Sequence, residues 1–179
     1  MQYKKIILLC LVFLIKPAVA DNYFSVLYMP VIYNYSNDSI DDLIATGSLQ
    51  FAVGKKLAQR FSIEGRLSVP LVSQEESVIT SSSSVNIEYD TSHVGILAKY
   101  GHSFYGAVAF TKLERETSIQ GDLSLVPSGV NTTPFDESGF GIGIGYQTPT
   151  RRGFMAELLV GTGDLDDVIL LSMGYHSRF

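Results

Sequence analysis

Apolar and polar side chains alternate along most of the chain from residue 22 onward. A period of two is typical of β-strands, because successive side chains on a strand point to opposite faces of the sheet. The alternating segments are rich in β-branched and aromatic residues, and Gly, Pro, Asn and Ser separate them. They predict eight strands, at about residues 22–34, 46–55, 61–72, 85–100, 104–114, 138–147, 153–163 and 168–179. Each is long enough to cross a bilayer at a tilt, which takes about 9 to 11 residues.

The sixth segment separates its two faces most clearly. Phe140, Ile142, Ile144 and Tyr146 share one face, and the odd-numbered positions from 139 to 145 are all glycine. The second, third, fourth and seventh segments also keep apolar residues on one face and mainly small or polar residues on the other. The first and fifth segments do not show which of their faces is apolar.

Alternation alone does not say which face points outward, because a soluble lipocalin-type barrel has the same period with its apolar side inside. Rows of glycine facing water would cost stability without contributing packing. A narrow barrel lumen, in contrast, favours small and polar side chains. We therefore predict an all-β fold: a transmembrane, antiparallel up-and-down β-barrel of eight strands with its apolar face toward lipid.

The first 20 residues have the three parts of a secretory signal. These are a basic start at Lys4 and Lys5, an apolar run over residues 6–15, and small residues at 18–20. The run is shorter than the about 20 residues of a membrane-spanning helix, although a retained helical anchor is the alternative. We expect residues 1–20 to be a cleaved signal peptide, and residues 21–179 to form one outer-membrane barrel domain.

Removing this segment changes the composition. Residues 1–20 contain three of the 13 basic residues, none of the 18 acidic residues, and Cys10, the only cysteine. The remainder has 10 basic and 18 acidic side chains, a formal charge of −8, and no cysteine for disulfides or thiolate metal sites. A negative chain without basic clusters is a poor candidate for nucleic-acid binding. We expect no cofactor and no metal site.

The predicted connections differ in length and in charge. Those at about 56–60, 101–103 and 148–152 are short, and those at about 35–45, 73–84, 115–137 and 164–167 are mostly longer and polar. Fifteen of the 18 acidic residues lie in or beside the second group. The opposite rim carries basic residues: Lys55, Lys56, Arg60, Arg151, Arg152 and Arg178. Short periplasmic turns and longer extracellular loops are typical of outer-membrane barrels, so we expect both termini on the periplasmic side.

The last predicted strand ends in Phe179, with Tyr175 on the same face. With the export signal and the eight strands, this ending resembles the small outer-membrane barrels of the OmpA and OmpX type, which include Ail-like and opacity-type proteins. Ser177 departs from the pattern, which usually has a larger apolar residue there. The resemblance implies that the barrel assembly machinery reads Tyr175 and Phe179 as an assembly signal. It also implies a location in the outer membrane of a Gram-negative bacterium, where we expect a monomer.

Several charged or titratable residues fall on the face assigned to the lumen: Glu64, Arg66, Lys99, Glu157, His176 and Arg178. Opposite charges on the neighbouring third and fourth strands can pair there, which offsets the cost of burying them. Eight strands leave an interior just wide enough for side chains. We therefore expect these residues to plug the lumen and fix strand register, with a gated, low-conductance pore as the alternative.

Catalysis is the next function to weigh, because some small outer-membrane barrels modify lipid A. A serine hydrolase needs a histidine within hydrogen-bonding reach of a serine. His93, His102 and His176 each have a serine only at an adjacent position, which points to the other face of a strand or lies in a turn. We therefore expect that the protein is not an enzyme. A triad made of residues on different strands is the alternative, which the sequence alone does not test.

The acidic loops supply the remaining hypotheses. Residues 163–167 cluster carboxylates, which are oxygen ligands for divalent cations, but they lack the spacing of a calcium loop. An acidic hairpin turn is therefore favoured there. We expect the protein to support the envelope or to present its loops for surface interaction, with outer-membrane lipid, lipopolysaccharide and a host or surface ligand as partners. The longest predicted loop, at about residues 115–137, is the first candidate for such a contact.

Overall fold

The computed structural model describes residues 22–37, 40–79, 83–126, 135–165 and 168–179. Within these ranges, the chain forms antiparallel strands, namely β1 Asn22–Asn37, β2 Ile40–Lys56, β3 Phe61–Val72, β4 Gln74–Ile79, β5 Ser84–Gly101, β6 Phe104–Gly121, β7 Phe135–Gln147, β8 Arg152–Thr162 and β9 Val168–Arg178. Two short 3-10 helices, Leu123–Leu125 and Gly163–Leu165, lie in the connections. No helix in the described ranges is long and apolar enough to cross a bilayer.

Eight of these strands close into a ring. The order of hydrogen-bonded neighbours is β3-β2-β1-β9-β8-β7-β6-β5-β4, and β3 also pairs with β5. The closing ladder runs from the pair Phe61 and Tyr100 to the pair Ser68 and His93. Strand β4 pairs with β5 beyond that ladder, so it extends the sheet and does not enter the ring. The predicted eight-stranded up-and-down barrel is confirmed.

Strand lengths differ from the prediction at one end of the barrel. The ladder between β5 and β6 continues to the pair Val85 and Gly121, and β4 lies inside the predicted 73–84 connection. The prediction that 35–45, 73–84 and 115–137 are connections throughout was therefore wrong. Alternation continues in the added part of β6, where the outward residues Glu116, Ser118 and Gln120 are exposed and polar. Beyond the hydrocarbon, an outward side chain contacts water and does not need to be apolar. The apolar alternation that predicted the segments therefore stops before the strand ends.

The apolar face of the strands points outward. On the apolar faces of β5 and β7, Ile96 and Ile144 are 63% and 69% exposed. On the polar faces of β2 and β3, Gln50 and Glu64 are completely buried. An exposed apolar surface around a polar interior is the arrangement of a transmembrane barrel, and a soluble barrel has the reverse. The predicted orientation of the second, third, fourth, sixth and seventh segments is confirmed.

The structure also settles the two strands whose faces the sequence left open. In β1, Tyr23, Leu27 and Met29 point inward. In β6, Tyr105 is buried and its neighbour Phe104 is 77% exposed. The two strands are ambiguous in sequence because both of their faces carry apolar residues, and only pairing with the neighbouring strands distinguishes them.

The two ends of the barrel are named here by their connections. The turn end has the short turns at 57–60, 102–103 and 148–151 together with the start of β1 and the end of β9. The loop end has the connections after β1, β3, β6 and β8. The sequence analysis places the turn end in the periplasm.

Candidate functional site inside the barrel

A buried group of charged side chains occupies the lumen near the turn end. Glu64 and Arg66 lie on β3, Lys99 on β5 and Glu157 on β8. The alternation of each strand directs these side chains inward, and each residue is at most 4% exposed. Burial of this kind is tolerated only where opposite charges pair with good geometry. We call these residues the lumen ion network.

Arg66 is the centre of the lumen ion network. Its Nη1 and Nη2 donate to Oε1 and Oε2 of Glu157 at 2.5 and 3.0 Å, which is a bidentate pair across the barrel. Its Nε donates to Oε1 of Glu64 at 2.5 Å. Lys99 Nζ donates to the other oxygen of Glu64 at 2.6 Å and lies 4.0 Å from Oε2 of Glu157. Two cations therefore balance two carboxylates, and Arg66 fixes the orientation of both carboxylates.

Two tyrosines complete the network. Tyr105 donates its hydroxyl to Oε2 of Glu157 at 2.9 Å. Lys99 Nζ lies 4.8 Å from the centroid of the Tyr105 ring and 5.5 Å from that of Tyr23, within the range of a cation–π contact. Lys99 is therefore held by its ion pair with Glu64 and by contacts with the rings of Tyr23 and Tyr105.

Each of these tyrosine rings covers a glycine on the neighbouring strand. Tyr23 pairs with Gly54, and Tyr105 pairs with Gly145. A Cβ at either glycine would collide with the ring of its partner. Neither tyrosine is among the lumen residues predicted from the sequence. The inward glycine opposite each tyrosine is the signal that identifies them, but it can be read only after the strands are paired.

A second polar layer lies further from the turn end. Gln50 Nε2 is 3.0 Å from the sulfur of Met29 and 3.4 Å from Nδ1 of His93, and Ser172 donates to Oε1 of Gln50 at 3.4 Å. Ser48 on the same strand as Gln50 donates its hydroxyl to the backbone carbonyl of Thr91 at 2.8 Å. These contacts join strands β1, β2, β5 and β9 across the lumen.

An apolar cluster lies in the interior toward the loop end. Near the same end, Arg115 is 2% exposed and its Cζ lies 5.9 Å from the centroid of the Tyr89 ring. Leu165 from the 3-10 helix between β8 and β9 is buried in the same hydrophobic cluster as other inward residues: Met29, Val31, Leu113, Val168 and Leu170. The backbone carbonyl of Leu165 lies so close to Gly161 that a Cβ there would collide with it. A Cβ at Gly139 would lie 3.1 Å from Leu165 Cγ. The 163–165 turn therefore folds over the barrel interior, and two inward glycines leave room for it.

The structure separates two of the predicted lumen residues from the others. His176 is 1% exposed and its Nε2 lies 3.2 Å from both the hydroxyl and the carbonyl oxygen of Thr148. Arg178 bonds through its backbone to Arg151, and its side chain lines a cavity at the mouth of the lumen. The ion pairs of the lumen ion network join Glu64, Arg66, Lys99 and Glu157, and neither His176 nor Arg178 belongs to it.

The C-terminal aromatic residues lie on the outer face. Tyr175 and Phe179 are 50% and 58% exposed, and Phe179 N donates to the carbonyl of Asn22 at 2.9 Å. Their role as an assembly signal stays a prediction.

Several carboxylates lie at the loop end. Lys112 Nζ is 2.7 Å from Asp136 Oδ2 and 3.2 Å from Glu114 Oε1. Ser124 donates both its hydroxyl and its backbone N–H to Asp122, at 2.7 and 3.0 Å. These bonds and one from Ser83 lower the pKa of Asp122, which holds this exposed side chain in its charged form.

Parts of the predicted loops are outside the described residues. These are residues 38–39, 80–82, 127–134 and 166–167, which include part of the longest loop and two of the carboxylates of 163–167. In the ranges that are described, no three His, Cys, Asp or Glu side chains are placed to hold a metal ion.

The comparisons with known proteins concern the fold. No protein-family model matches the sequence, and no curated protein matches it. Among solved structures, the chain is similar to Ail, the attachment invasion locus protein of Yersinia pestis, with a TM-score of 0.50 and 12% identity over 89% of this chain and 99% of that chain.

Two further solved structures have lower scores. Ail in complex with the heparin analogue sucrose octasulfate gives a TM-score of 0.45 and 13% identity, over 89% of this chain and 99% of that chain. Neisserial surface protein A gives a TM-score of 0.49 and 11% identity, over 88% of this chain and 97% of that chain. At these identities the likeness to Ail concerns architecture, and it agrees with the small-barrel resemblance drawn from the sequence.

Proposed function

We propose that the protein is an integral outer-membrane β-barrel of a Gram-negative bacterium, with a closed lumen and a structural or surface-interaction role exercised through its loop end. The observation that carries this proposal is an apolar outer surface around a neutral, mutually paired group of buried charges. The first 20 residues serve as the cleaved export signal. The short turns and both termini face the periplasm, as is usual for this architecture.

Three successive layers of side chains support the closed lumen. The lumen ion network fills the interior near the turn end, the Gln50 layer crosses it further on, and the cluster with Leu165 fills it near the loop end. An eight-stranded barrel has an interior just wide enough for side chains, so few side chains are needed to fill it. Because every charge of the network has a partner of opposite sign, none is available to bind a passing ion.

Conductance recordings on purified protein in planar bilayers test the closed lumen against the low-conductance pore. We expect the unmodified protein to show no steady conductance, and Arg66→Gln and Glu64→Gln to introduce openings because they leave network charges unbalanced. Lys112→Gln is the control, since it removes a cation of the exposed loop end. A steady open conductance that Glu64→Gln and Arg66→Gln leave unchanged would overturn the closed lumen.

The surface role rests on the charge of the loop end. Most of the acidic residues lie in the loop-end connections or at the strand ends beside them, where Asp122 is fixed in its charged form. Ail is a protein that has been crystallised with a heparin analogue, which is a polyanion. An acidic surface repels polyanions, so we propose that the loops contact cationic surface ligands, or lipopolysaccharide through bridging divalent cations.

A loop deletion tests the surface role. Removing residues 123–134 shortens the longest loop beyond the paired part of β6. We expect this variant to insert normally, as shown by its altered electrophoretic mobility before heating, and to lose binding to host cells or to lipopolysaccharide with calcium. Unchanged binding by a correctly inserted deletion variant would leave the protein with a structural role only.

We propose a non-enzymatic role. His93 contacts the amide of Gln50, and His176 contacts Thr148, so both rings have partners other than a serine. Hydrolysis or acyl transfer on lipopolysaccharide by the purified protein, abolished by His93→Ala or His176→Ala, would contradict this part of the proposal.

A further inference from the structure

A cavity of about 240 Å³ opens at the turn end, in the mouth of the lumen. Tyr23 and Ser62 form its inner wall, and the cations Lys56, Arg60 and Arg178 are among the residues that line it. None of the described side chains that line this cavity is acidic. Its polar groups are mainly hydrogen-bond donors or hydroxyls, so its chemistry favours an anion.

The backbone that carries these cations is fixed. Arg60 accepts a bond from Gly101 N at 2.8 Å, which joins two turns. Arg178 N donates to the carbonyl of Arg151 at 2.8 Å, and Arg151 Nε donates back to the carbonyl of Arg178 at 3.0 Å. Gln147 N donates to Ser103 at 2.8 Å and joins two further turns. These bonds between neighbouring turns hold the mouth in one shape, which lowers the entropy cost of binding a ligand there.

The charge of the mouth is not balanced by the interior beneath it. Glu64 and Glu157 are already neutralised by Arg66 and Lys99, so the lumen ion network has no negative charge left over. The rim around the cavity has exposed Lys55, Arg151 and Arg152, and the described turns contain no acidic residue. Among the described residues, the turn end is therefore positively charged around the cavity as well as inside it.

From this geometry we infer that the mouth of the lumen at the turn end is a binding site for a phosphate group. Guanidinium groups bind phosphate through paired N–H donors, and the hydroxyls of Ser62 and Ser103 add donors of the same kind. The phosphate has two possible sources. Phe61 lines the cavity and also an apolar groove on the outer surface, so the site is next to surface where the headgroup of an anionic phospholipid could lie, and it is also open to a soluble phosphate.

A phosphorus-31 NMR titration of inorganic phosphate tests the site in a maltoside detergent, which contains no phosphate. We expect saturable binding by the unmodified protein, weakened about tenfold in Arg60→Gln with Arg178→Gln, because two charge-assisted contacts at a solvent-screened mouth are lost. The matched control is Lys55→Gln with Arg152→Gln. It removes the same charge from exposed rim positions that do not line the cavity, and its effect should stay below about twofold.

The outcomes separate a site from general surface charge. Absence of saturable binding, or equal weakening by both double variants, overturns the inference. If the cavity double variant fails to fold by electrophoretic mobility, Arg60→Gln alone replaces it, because Arg60 is an exposed turn residue.

The source of the phosphate is identified in lipid nanodiscs by native mass spectrometry. Retention of phosphatidylglycerol by the unmodified protein, lost in the cavity double variant and kept in the control, supports a lipid headgroup. Binding of inorganic phosphate that phosphatidylglycerol does not displace supports a soluble phosphate. Neither experiment depends on whether the loop end binds a surface ligand.

Discussion

The barrel interior is filled differently near the turn end and around Leu165. Near the turn end, Arg66, Lys99 and two carboxylates meet in a network in which each charge depends on the others. Toward the loop end, Leu165 packs among aliphatic side chains without directional contacts, and the buried Arg115 lies over the Tyr89 ring. Losing one partner of a buried ion pair strands the remaining charge, whereas trimming an aliphatic cluster only opens a cavity. The two regions should therefore respond differently to the loss of one side chain.

The largest effect is expected for Arg66→Met, which keeps the volume and removes the charge. It leaves Glu64 with one cation and Glu157 without its bidentate partner, and loss of one member of a buried pair costs about 3–5 kcal/mol. The free energy of unfolding in urea, measured on protein folded into phospholipid vesicles, checks this value.

The matched control for Arg66 is Lys112→Met. Lys112 also contacts two carboxylates, Glu114 and Asp136, but at the exposed loop end, where solvent screens the interaction. We expect its effect on unfolding to be much smaller. Equal effects of the two substitutions would show that the lumen ion network does not stabilise the barrel.

An intermediate effect is expected for Leu165→Ala. The side chain is 1% exposed, and truncation of a buried leucine to alanine costs about 2–5 kcal/mol. We expect a value of about 2 kcal/mol, because the turn that carries Leu165 can move inward to fill the cavity. Leu123→Ala is the comparison, since Leu123 lies in the other 3-10 helix and is 69% exposed. If both variants unfold at the same urea concentration, Leu165 does not close the loop end.

The smallest effect is expected for Gly145→Ala, which pushes Tyr105 away from Glu157 and Lys99. Overpacking of this kind costs about 1–3 kcal/mol. The colliding atoms are the outer end of the Tyr105 side chain, which shifts more easily than backbone, and this favours the lower value. Gly106→Ala on the neighbouring strand is the control, because nothing lies within 4 Å of its added Cβ. A loss of stability in Gly106→Ala as large as that in Gly145→Ala would rule out the tyrosine contact as the cause.

The strands and most of their faces could be predicted because lipid on one side enforces a strict alternation. The pattern loses that support beyond the hydrocarbon, where the outward positions of β6 carry the polar side chains of Glu116, Ser118 and Gln120. The extension of β6 beyond residue 114 and the whole of β4 were missed for this reason.

The interior was predictable only in part. The inward direction of Glu64 and Arg66 follows from parity, but the pair Arg66 and Glu157 joins residues that are 91 positions apart and lie across the lumen. A local sequence pattern does not show which residues so far apart in the chain lie close together in the fold. Tyr105 was missed because Phe104 beside it is equally apolar, so the strand alone does not say which of the two points inward.

The central claim is that the apolar face of the strands contacts lipid, and spin labels test it directly. Residues 21–179 contain no cysteine, so single labelled cysteines at Val108 and Ile144 report their own surroundings. A third label at the exposed Gln120 on the loop-end part of β6 is the aqueous reference. In vesicles, we predict that the first two labels collide more with dissolved oxygen than with a water-soluble nickel complex, and that the reference label shows the reverse. Greater access of the nickel complex to positions 108 and 144 would contradict the account.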